Sequence, residues 1–177
     1  MVNRQTSLQP SLASRPTRVI IALVRVCVAL LWMQNVAWKV PPDFGKESNS
    51  GLWHWANQAL EHPVFAPYTW MVQNIVLPNF TVFGWLVLLI EGGLAAFLLV
   101  GFLTRFWAVV GLAQTLAITF SVLNTPNEWH WSYYLMFLVH LMLIVTAAGR
   151  SYGVDGLVRQ AIASPHGRLS ALYLRLS

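Results

Sequence analysis

Four side chains that carry a charge, an imidazole or an amide lie inside long apolar segments of this sequence. They are Arg25, Glu91, Gln114 and His140. Because a charge in hydrocarbon is costly, such residues rarely occur there without a partner or a task. The four residues therefore predict a polar centre inside a membrane-embedded protein, and this centre is where chemistry is expected.

The chemistry open to these groups depends on how they pair. The opposite charges of Arg25 and Glu91 predict an ion pair, with Gln114 or His140 completing its hydrogen bonds. One interpretation is that the pair only fixes the register of the helices. The other is a site for a quinone carbonyl or a proton in transit, with Glu91, Arg25 and His140 as the catalytic groups. His140 and Gln114 taken singly are also compatible with plain helix packing.

A second polar group stands at the end of the first apolar segment. Asn35 and Lys39 are four residues apart and so share one face of a helix, close to Trp38. Lys39 either extends to the lipid head groups or binds an anion at the mouth of the bundle. Asn35, Trp38 and Lys39, together with Gln114, are therefore the candidate cofactor-binding residues.

The apolar runs predict the elements that position these groups. Each run is close to the length of about 20 residues that crosses the hydrocarbon core. The predicted transmembrane helices span about residues 17–38, 80–103, 106–123 and 131–148. At about 1.5 Å per residue, the four buried polar residues lie about 13 to 20 Å below the outer surface. The expected fold is an all-α integral membrane four-helix bundle with its polar groups near the midplane.

The connection 41–79, between the first two transmembrane helices, is rich in tryptophan. It predicts two short helices, one ended by Pro63 and one from Pro67 to about Leu77, which Pro78 stops. Because tryptophan and tyrosine favour the bilayer–water interface, we expect this connection to be an extracytoplasmic interfacial segment over the bundle.

The membrane domain is predicted to span residues 17–157, between two cytoplasmic tails. Residues 1–16 are expected to be a disordered tail. Residues 158–177 form the second tail, in which Gly167–Ser177 is expected to lie on the membrane as a short helix.

Composition supports the membrane class and excludes several others. Of the 177 residues 56% are hydrophobic and 10% are charged, whereas a soluble domain carries about a quarter charged residues. The single cysteine, Cys27, excludes a disulfide within the chain and a thiolate metal cluster. Only His140 could ligate a haem inside the bundle, and the other histidines match no metal signature, so neither haem nor metal is expected. The arginines form no contiguous basic stripe, so no nucleic-acid partner is expected.

The placement of lysine and arginine predicts the orientation in the membrane. Eight of the eleven basic residues flank the helices on the side of the termini. Lys39 and Lys46 lie on the opposite side, and Arg25 lies within the bilayer. Because cytoplasmic loops carry the excess of basic residues, both termini are predicted to be cytoplasmic. We expect a multi-pass protein of a bacterial or archaeal plasma membrane.

In their order and spacing these residues resemble the DoxX/DoxD family of small four-helix membrane proteins, over most of residues 18–157. The segments that carry the resemblance are Arg25 with Asn35-x-x-Trp38-Lys39, the outer stretch Glu61-His62-Pro63 to Leu77-Pro78-Asn79, Glu91-Gly92, Gly101-Phe102-Leu103-Thr104-Arg105, and Gly149-Arg150-Ser151-Tyr152-Gly153-Val154-Asp155. The Glu91 helix with its Gly-x-x-Thr-Arg turn is the most specific of them, and the outer stretch is similar to the DoxD branch.

The resemblance implies a function that composition alone does not give. The DoxD branch is associated with thiosulfate:quinone oxidoreductase as a membrane subunit that works with a second polypeptide, and other members support redox homeostasis through partner proteins. This implies a quinone-linked redox subunit of a respiratory chain, with quinone as its cofactor and a protein partner. The alternative is a non-catalytic scaffold or accessory subunit of such a complex. A transporter with a buried proton relay ranks last, because four helices show no inverted repeat.

Overall fold

The computed structural model describes residues 14–162 and 167–177, and every regular element in these ranges is helical. The α-helices are α1 Arg15–Ala37, α2 Gly51–Glu61, α3 Ala66–Met71, α4 Phe80–Val100, α5 Thr104–Val122, α6 His130–Thr146, α7 Val154–Ala161 and α8 Arg168–Leu176. The long helices pack α1 against α4, α4 against α5, α5 against α6, and α1 against α6. The predicted all-α fold is confirmed.

Three helical segments are long and apolar enough to cross a membrane. They are Arg15–Ala37, Ala66–Val100 and Thr104–Val122. Helix α6 is apolar as well, but it has only 17 residues. Because an α-helix rises about 1.5 Å per residue, α6 is at the lower limit for a span. The fourth membrane crossing therefore stays a prediction.

Pro78 does not end a separate helix, and this part of the prediction was wrong. The helical backbone runs on from α3 through a π-helical turn, Val72–Val76, and a 3₁₀ turn, Leu77–Asn79, into α4. Pro78 lies in the first turn of the 3₁₀ segment, where a missing N–H removes no bond of that turn. The irregular turns accommodate the proline without breaking the path. The interfacial location of 41–79 remains a prediction.

A buried phenylalanine fixes the chain after α1. The side chain of Phe44 is 1% exposed and lies directly over Gly84 of α4. A Cβ atom added to Gly84 would come 2.3 Å from the Phe44 ring. The close contact holds the turn between α1 and α2 against α4, and α2 then packs across α5.

At the opposite end of the bundle, Asp155 holds the turn between α4 and α5. Its carboxylate accepts the backbone N–H groups of Leu103 and Thr104, at 2.8 and 2.9 Å, and the hydroxyl of Tyr173 at 2.8 Å. These two N–H groups begin α5 and have no partner within the helix. A Cβ on Gly149 would lie 2.2 Å from the same carboxylate. The two glycine-containing segments that carried the resemblance therefore form one structural unit.

The terminal segments differ in part from the prediction. Residues 1–13 of the predicted N-terminal tail and 163–166 of the C-terminal tail lie outside the described residues, and α1 begins at Arg15 rather than residue 17. The predicted C-terminal helix forms as α8. Its Tyr173 bonds Asp155, and Arg159 of α7 donates to the Leu174 carbonyl at 2.7 Å. Helix α8 is thus attached to the bundle, and its contact with a membrane surface remains a prediction.

Candidate ligand-binding cavity

A cavity of about 290 Å³ lies at the end of the bundle where α1 ends. Helices α2 and α3 and the π-helical turn cover it, and α4 and α5 form its sides. Most of its wall is apolar, and the residues that present aromatic or aliphatic surface to it include Trp55, Val72, Phe80, Phe83, Val87 and Ile118. Polar side chains therefore present little of the surface that faces the cavity, and their position decides what the cavity can bind.

An ion pair between Lys39 and Glu91 lies at the wall of the cavity. Lys39 Nζ donates to Glu91 Oε2 at 2.5 Å, and the two side chains are 3% and 1% exposed. Gln114 Nε2 donates to the other carboxylate oxygen at 3.0 Å. Among the described residues this is the one ion pair. It joins the segment after α1 to the middle of α4, and Gln114 adds the link to α5. We call Lys39, Glu91 and Gln114 the polar floor.

Lys39 reaches Glu91 because its side chain folds back along α1. Its Nζ also donates to the carbonyl of Asn35, one helical turn earlier, at 2.7 Å, and lies 4.1 Å from the centre of the Trp38 ring. The predicted extension of Lys39 to the lipid head groups was therefore wrong, whereas its predicted anion-binding role stays a prediction. The ammonium group is buried rather than extended to lipid head groups, and Glu91 neutralises the charge that an anion would need.

Arg25 does not pair with Glu91, and that prediction was wrong too. Its Nη1 donates to the carbonyls of Leu98 and Leu99, at 2.5 and 2.7 Å, in the last turn of α4. The last carbonyls of a helix lack partners within the helix and attract a cation. Because Leu98 is seven residues beyond Glu91, Arg25 lies about 10 Å from the level of the polar floor. Its observed contacts are those of a helix cap.

His140 is buried but does not line the cavity. Its Nδ1 is 2.7 Å from the Met136 carbonyl, and its Nε2 accepts the indole N–H of Trp32 at 3.1 Å. A carbonyl can only accept, so these bonds define a neutral ring with its proton on Nδ1. The ring packs over Gly111, where a Cβ would come within 2.3 Å of Nε2. Both ring nitrogens are therefore used in helix packing, the plainer of the two predicted roles.

The sequence of this chain matches one family of known membrane proteins. The family model described as "TQO small subunit DoxD", TQO being thiosulfate:quinone oxidoreductase, matches residues 20–171. This chain belongs to the DoxD family. No curated protein and no solved structure matches it. The match includes both the cavity and the Asp155 unit, and it agrees with the resemblance seen in the sequence.

The DoxD assignment and the three long apolar helices together show a membrane protein similar to the small subunit of thiosulfate:quinone oxidoreductase. Within the described ranges, no group of three or more His, Cys, Asp or Glu side chains could hold a metal ion. The polar floor and the cavity above it are thus the arrangement in this DoxD chain most suited to binding a ligand.

The structure also places polar residues at the cavity that sequence reasoning did not select. The Tyr68 hydroxyl is 2.9 Å from Ser121 Oγ, and the Tyr133 hydroxyl donates to Glu128 Oε2 at 2.5 Å. All four residues line the cavity. Tyr68 lies in the outer stretch that carried the resemblance, but it is far from Ser121 in the sequence, so only the packing of α3 against α5 could reveal that the two hydroxyls meet.

Five of the seven site residues predicted from the sequence meet at this cavity. Asn35, Trp38, Lys39, Glu91 and Gln114 line it. Arg25 and His140 lie in the bundle away from it, one in a helix cap and one in a buried contact with Trp32. A catalytic role for these two would need a site other than the cavity.

Proposed function

We propose that this DoxD protein is the membrane subunit of a quinone-linked redox system similar to thiosulfate:quinone oxidoreductase, and that the cavity binds the quinone head group. The observation that carries the proposal is the cavity of about 290 Å³, apolar around most of its wall, with a buried polar floor. Small-molecule sites combine a mostly apolar lining with a few placed polar groups in this way.

The residues present fit a quinone in both size and chemistry. A volume just below the usual range of about 300 to 1,000 Å³ suits a single ring with the first part of its tail. Phe80, Phe83 and Trp55 offer aromatic surface for the ring. The side-chain amides of Asn35 and Gln114 at the cavity wall offer hydrogen bonds for its oxygen atoms. A charged ligand fits less well, because Lys39 and Glu91 neutralise each other.

A quinone held there would supply two-electron, two-proton redox chemistry. The contribution of this chain is to orient the ring, to exclude water with α2 and α3, and to keep an exchangeable proton on the Lys39–Glu91 pair. Because the family is described as a small subunit, we propose that the reduced sulfur anion is oxidised on a larger partner subunit. The anion-binding role first expected for Lys39 is not part of this proposal.

The test fills the cavity without altering its charges. Ala117 lines the cavity, whereas Ala113, one turn away on α5, is exposed on the outside of the bundle. We compare Ala117→Phe with the matched control Ala113→Phe, purify each protein gently and quantify extracted quinone by mass spectrometry. Wild type and Ala113→Phe should carry near-stoichiometric quinone, and Ala117→Phe should lose it while keeping its melting temperature.

The opposite outcome would support the scaffold. If wild-type protein yields only phospholipid, and a partner protein co-elutes equally with Ala117→Phe, the cavity is not a quinone site. The non-catalytic accessory subunit would then be the better account of the DoxD chain.

A further inference from the structure

The ion pair in the polar floor has few hydrogen bonds left for a ligand. Lys39 Nζ contacts Glu91, the Asn35 carbonyl and the face of the Trp38 ring, which occupies all three directions of an ammonium group. Both oxygens of Glu91 accept a hydrogen bond, one from Lys39 and one from Gln114. The charged residues are thus engaged with each other, although they are the residues that first suggest chemistry.

Two side-chain amides at the same wall still have hydrogen-bonding capacity. Gln114 donates one N–H of its Nε2 to Glu91, which leaves its carbonyl oxygen and its second N–H without a partner in the described part of the chain. A carboxylate can only accept, and Glu91 therefore fixes which way the Gln114 amide is turned. The side-chain amide of Asn35 has no hydrogen-bond partner in the described part of the chain, although its backbone carbonyl binds Lys39. Both residues line the cavity.

We propose that the amides of Asn35 and Gln114 recognise the ligand head group, and that Lys39 and Glu91 are a positioning pair that sets the Gln114 amide. The inference rests on the proposed function and deepens it. Asn35 can turn its amide to donate or to accept, whereas the carbonyl oxygen of Gln114 is an acceptor whose position Glu91 fixes.

This division of roles predicts which ligands the cavity prefers. A fixed acceptor is satisfied by a hydroxyl group and left unpaired by a carbonyl group. The cavity should therefore bind a quinol more tightly than the corresponding quinone. One such hydrogen bond corresponds to a difference of about tenfold in affinity. Anions such as thiosulfate should not compete, because the floor carries no net charge.

The experiment measures affinity rather than turnover. Purified full-length protein is titrated with a short-tailed benzoquinone and with its quinol, by calorimetry under anaerobic conditions. Wild type should bind the quinol about tenfold more tightly. Gln114→Leu should lose this preference, and Asn35→Leu should lower the affinity for both the quinone and the quinol about tenfold. The matched control is Gln34→Leu, an identical change at an exposed position of α1, which should bind like wild type.

The possible results separate this inference from the function on which it rests. If wild type and Gln114→Leu bind both forms equally, and Lys39→Met abolishes binding, the ion pair contacts the ligand and the inference is wrong while the quinone site stands. Competition by thiosulfate would also overturn it. If wild type binds neither form, the proposed function fails. Should Gln114→Leu not fold, Gln114→Asn withdraws the acceptor while keeping an amide, and it should reduce the preference.

Discussion

Removing Lys39 should leave Glu91 buried without its cation. We expect Lys39→Met to lower the free energy of unfolding by about 3 kcal/mol, the lower end of the range for breaking a buried ion pair. The lower end applies because Gln114 still donates to one carboxylate oxygen and because Glu91 borders the cavity. Changing both Lys39 and Glu91 to methionine should restore most of the loss, since no charge is then left unpaired.

The measurement is a double-mutant cycle on the free energy of unfolding. Denaturant titration in mixed micelles, followed by far-UV circular dichroism, gives the four values. The coupling between Lys39 and Glu91 should be about 2 kcal/mol or more. Lys46→Met, at an exposed lysine, is the matched control and should change stability by less than about 0.5 kcal/mol.

A second cycle decides between two pairings of the same carboxylate. Arg25 and Glu91 make no contact, so their coupling should stay below about 0.5 kcal/mol. If the Arg25 cycle gives the larger coupling, or if the Lys39 and Glu91 effects simply add, the arrangement of the polar floor described above is refuted.

Three further predictions concern the rest of the bundle. Arg25→Met should lower the free energy of unfolding by about 3 kcal/mol, because two charge-assisted bonds to the end of α4 are lost. If folded Arg25→Met protein lost its bound quinone, a purely capping role for Arg25 would be contradicted. Gly111→Ala should destabilise the protein by about 1 to 3 kcal/mol, measured by thermal unfolding, because the added Cβ clashes with the His140 ring. In the control Gly92→Ala the added Cβ meets nothing within 4 Å, so thermal unfolding should show a neutral or stabilising effect. Burial and the bond to Asp155 raise the pKa of Tyr173 well above its usual value of 10.0, so its contribution to stability is complete below about pH 10 and is lost as the pH rises through the folded-state pKa. Tyr173→Phe should therefore lose less of its melting temperature than wild type above about pH 10, and an identical alkaline decline in both proteins would show that Tyr173 is not responsible.

The helices, and five of the residues that line the cavity, were predictable from local pattern. Long apolar runs leave little choice but membrane-type helices, and the i, i+4 spacing placed Asn35 and Lys39 together. Polar residues such as Glu91 and Gln114 stand out in those runs because burying them is costly. The same cost predicted that Glu91 and Gln114 belong to one polar site.

The partner of Glu91 was not predictable from depth along straight helices. Such an estimate places a side chain at the level of its own Cα atom, whereas lysine and arginine extend over a helical turn or more. Lys39 folds back towards the bundle interior, and Arg25 finds the unpaired carbonyls at the end of α4. Two cations were available for one carboxylate, and only the packing of α1 on α4 decides between them.

The prediction that a helix ends at Pro78 was wrong for a related reason. A proline within an apolar run predicts a break, and the sequence alone does not show that a π-helical turn and a 3₁₀ turn can accommodate it. This matters for the site because Val72 and Val76, in the irregular turn, line the cavity. The covering of the cavity and the membrane helix below it are one continuous element.

The Asp155 unit shows why a family pattern need not mark chemistry. The glycines at 101, 149 and 153 pack against one another, and a Cβ at any of them would collide with a neighbour within 3 Å. Asp155 then holds the first N–H groups of α5. These residues account for the most recognisable part of the sequence, yet they build the end of the bundle away from the cavity.

Photoaffinity labelling with an azido-quinone shows whether the cavity holds the quinone head group. The protein is illuminated with the probe, digested, and the labelled peptides are mapped by mass spectrometry. We expect label on cavity-lining residues such as Trp55, Tyr68 and Phe83. Excess unlabelled quinone should remove it, and it should be absent from Ala117→Phe but present in Ala113→Phe. Label confined to the outward faces of α1 and α6, and unchanged by excess quinone, would show that the cavity does not hold the head group.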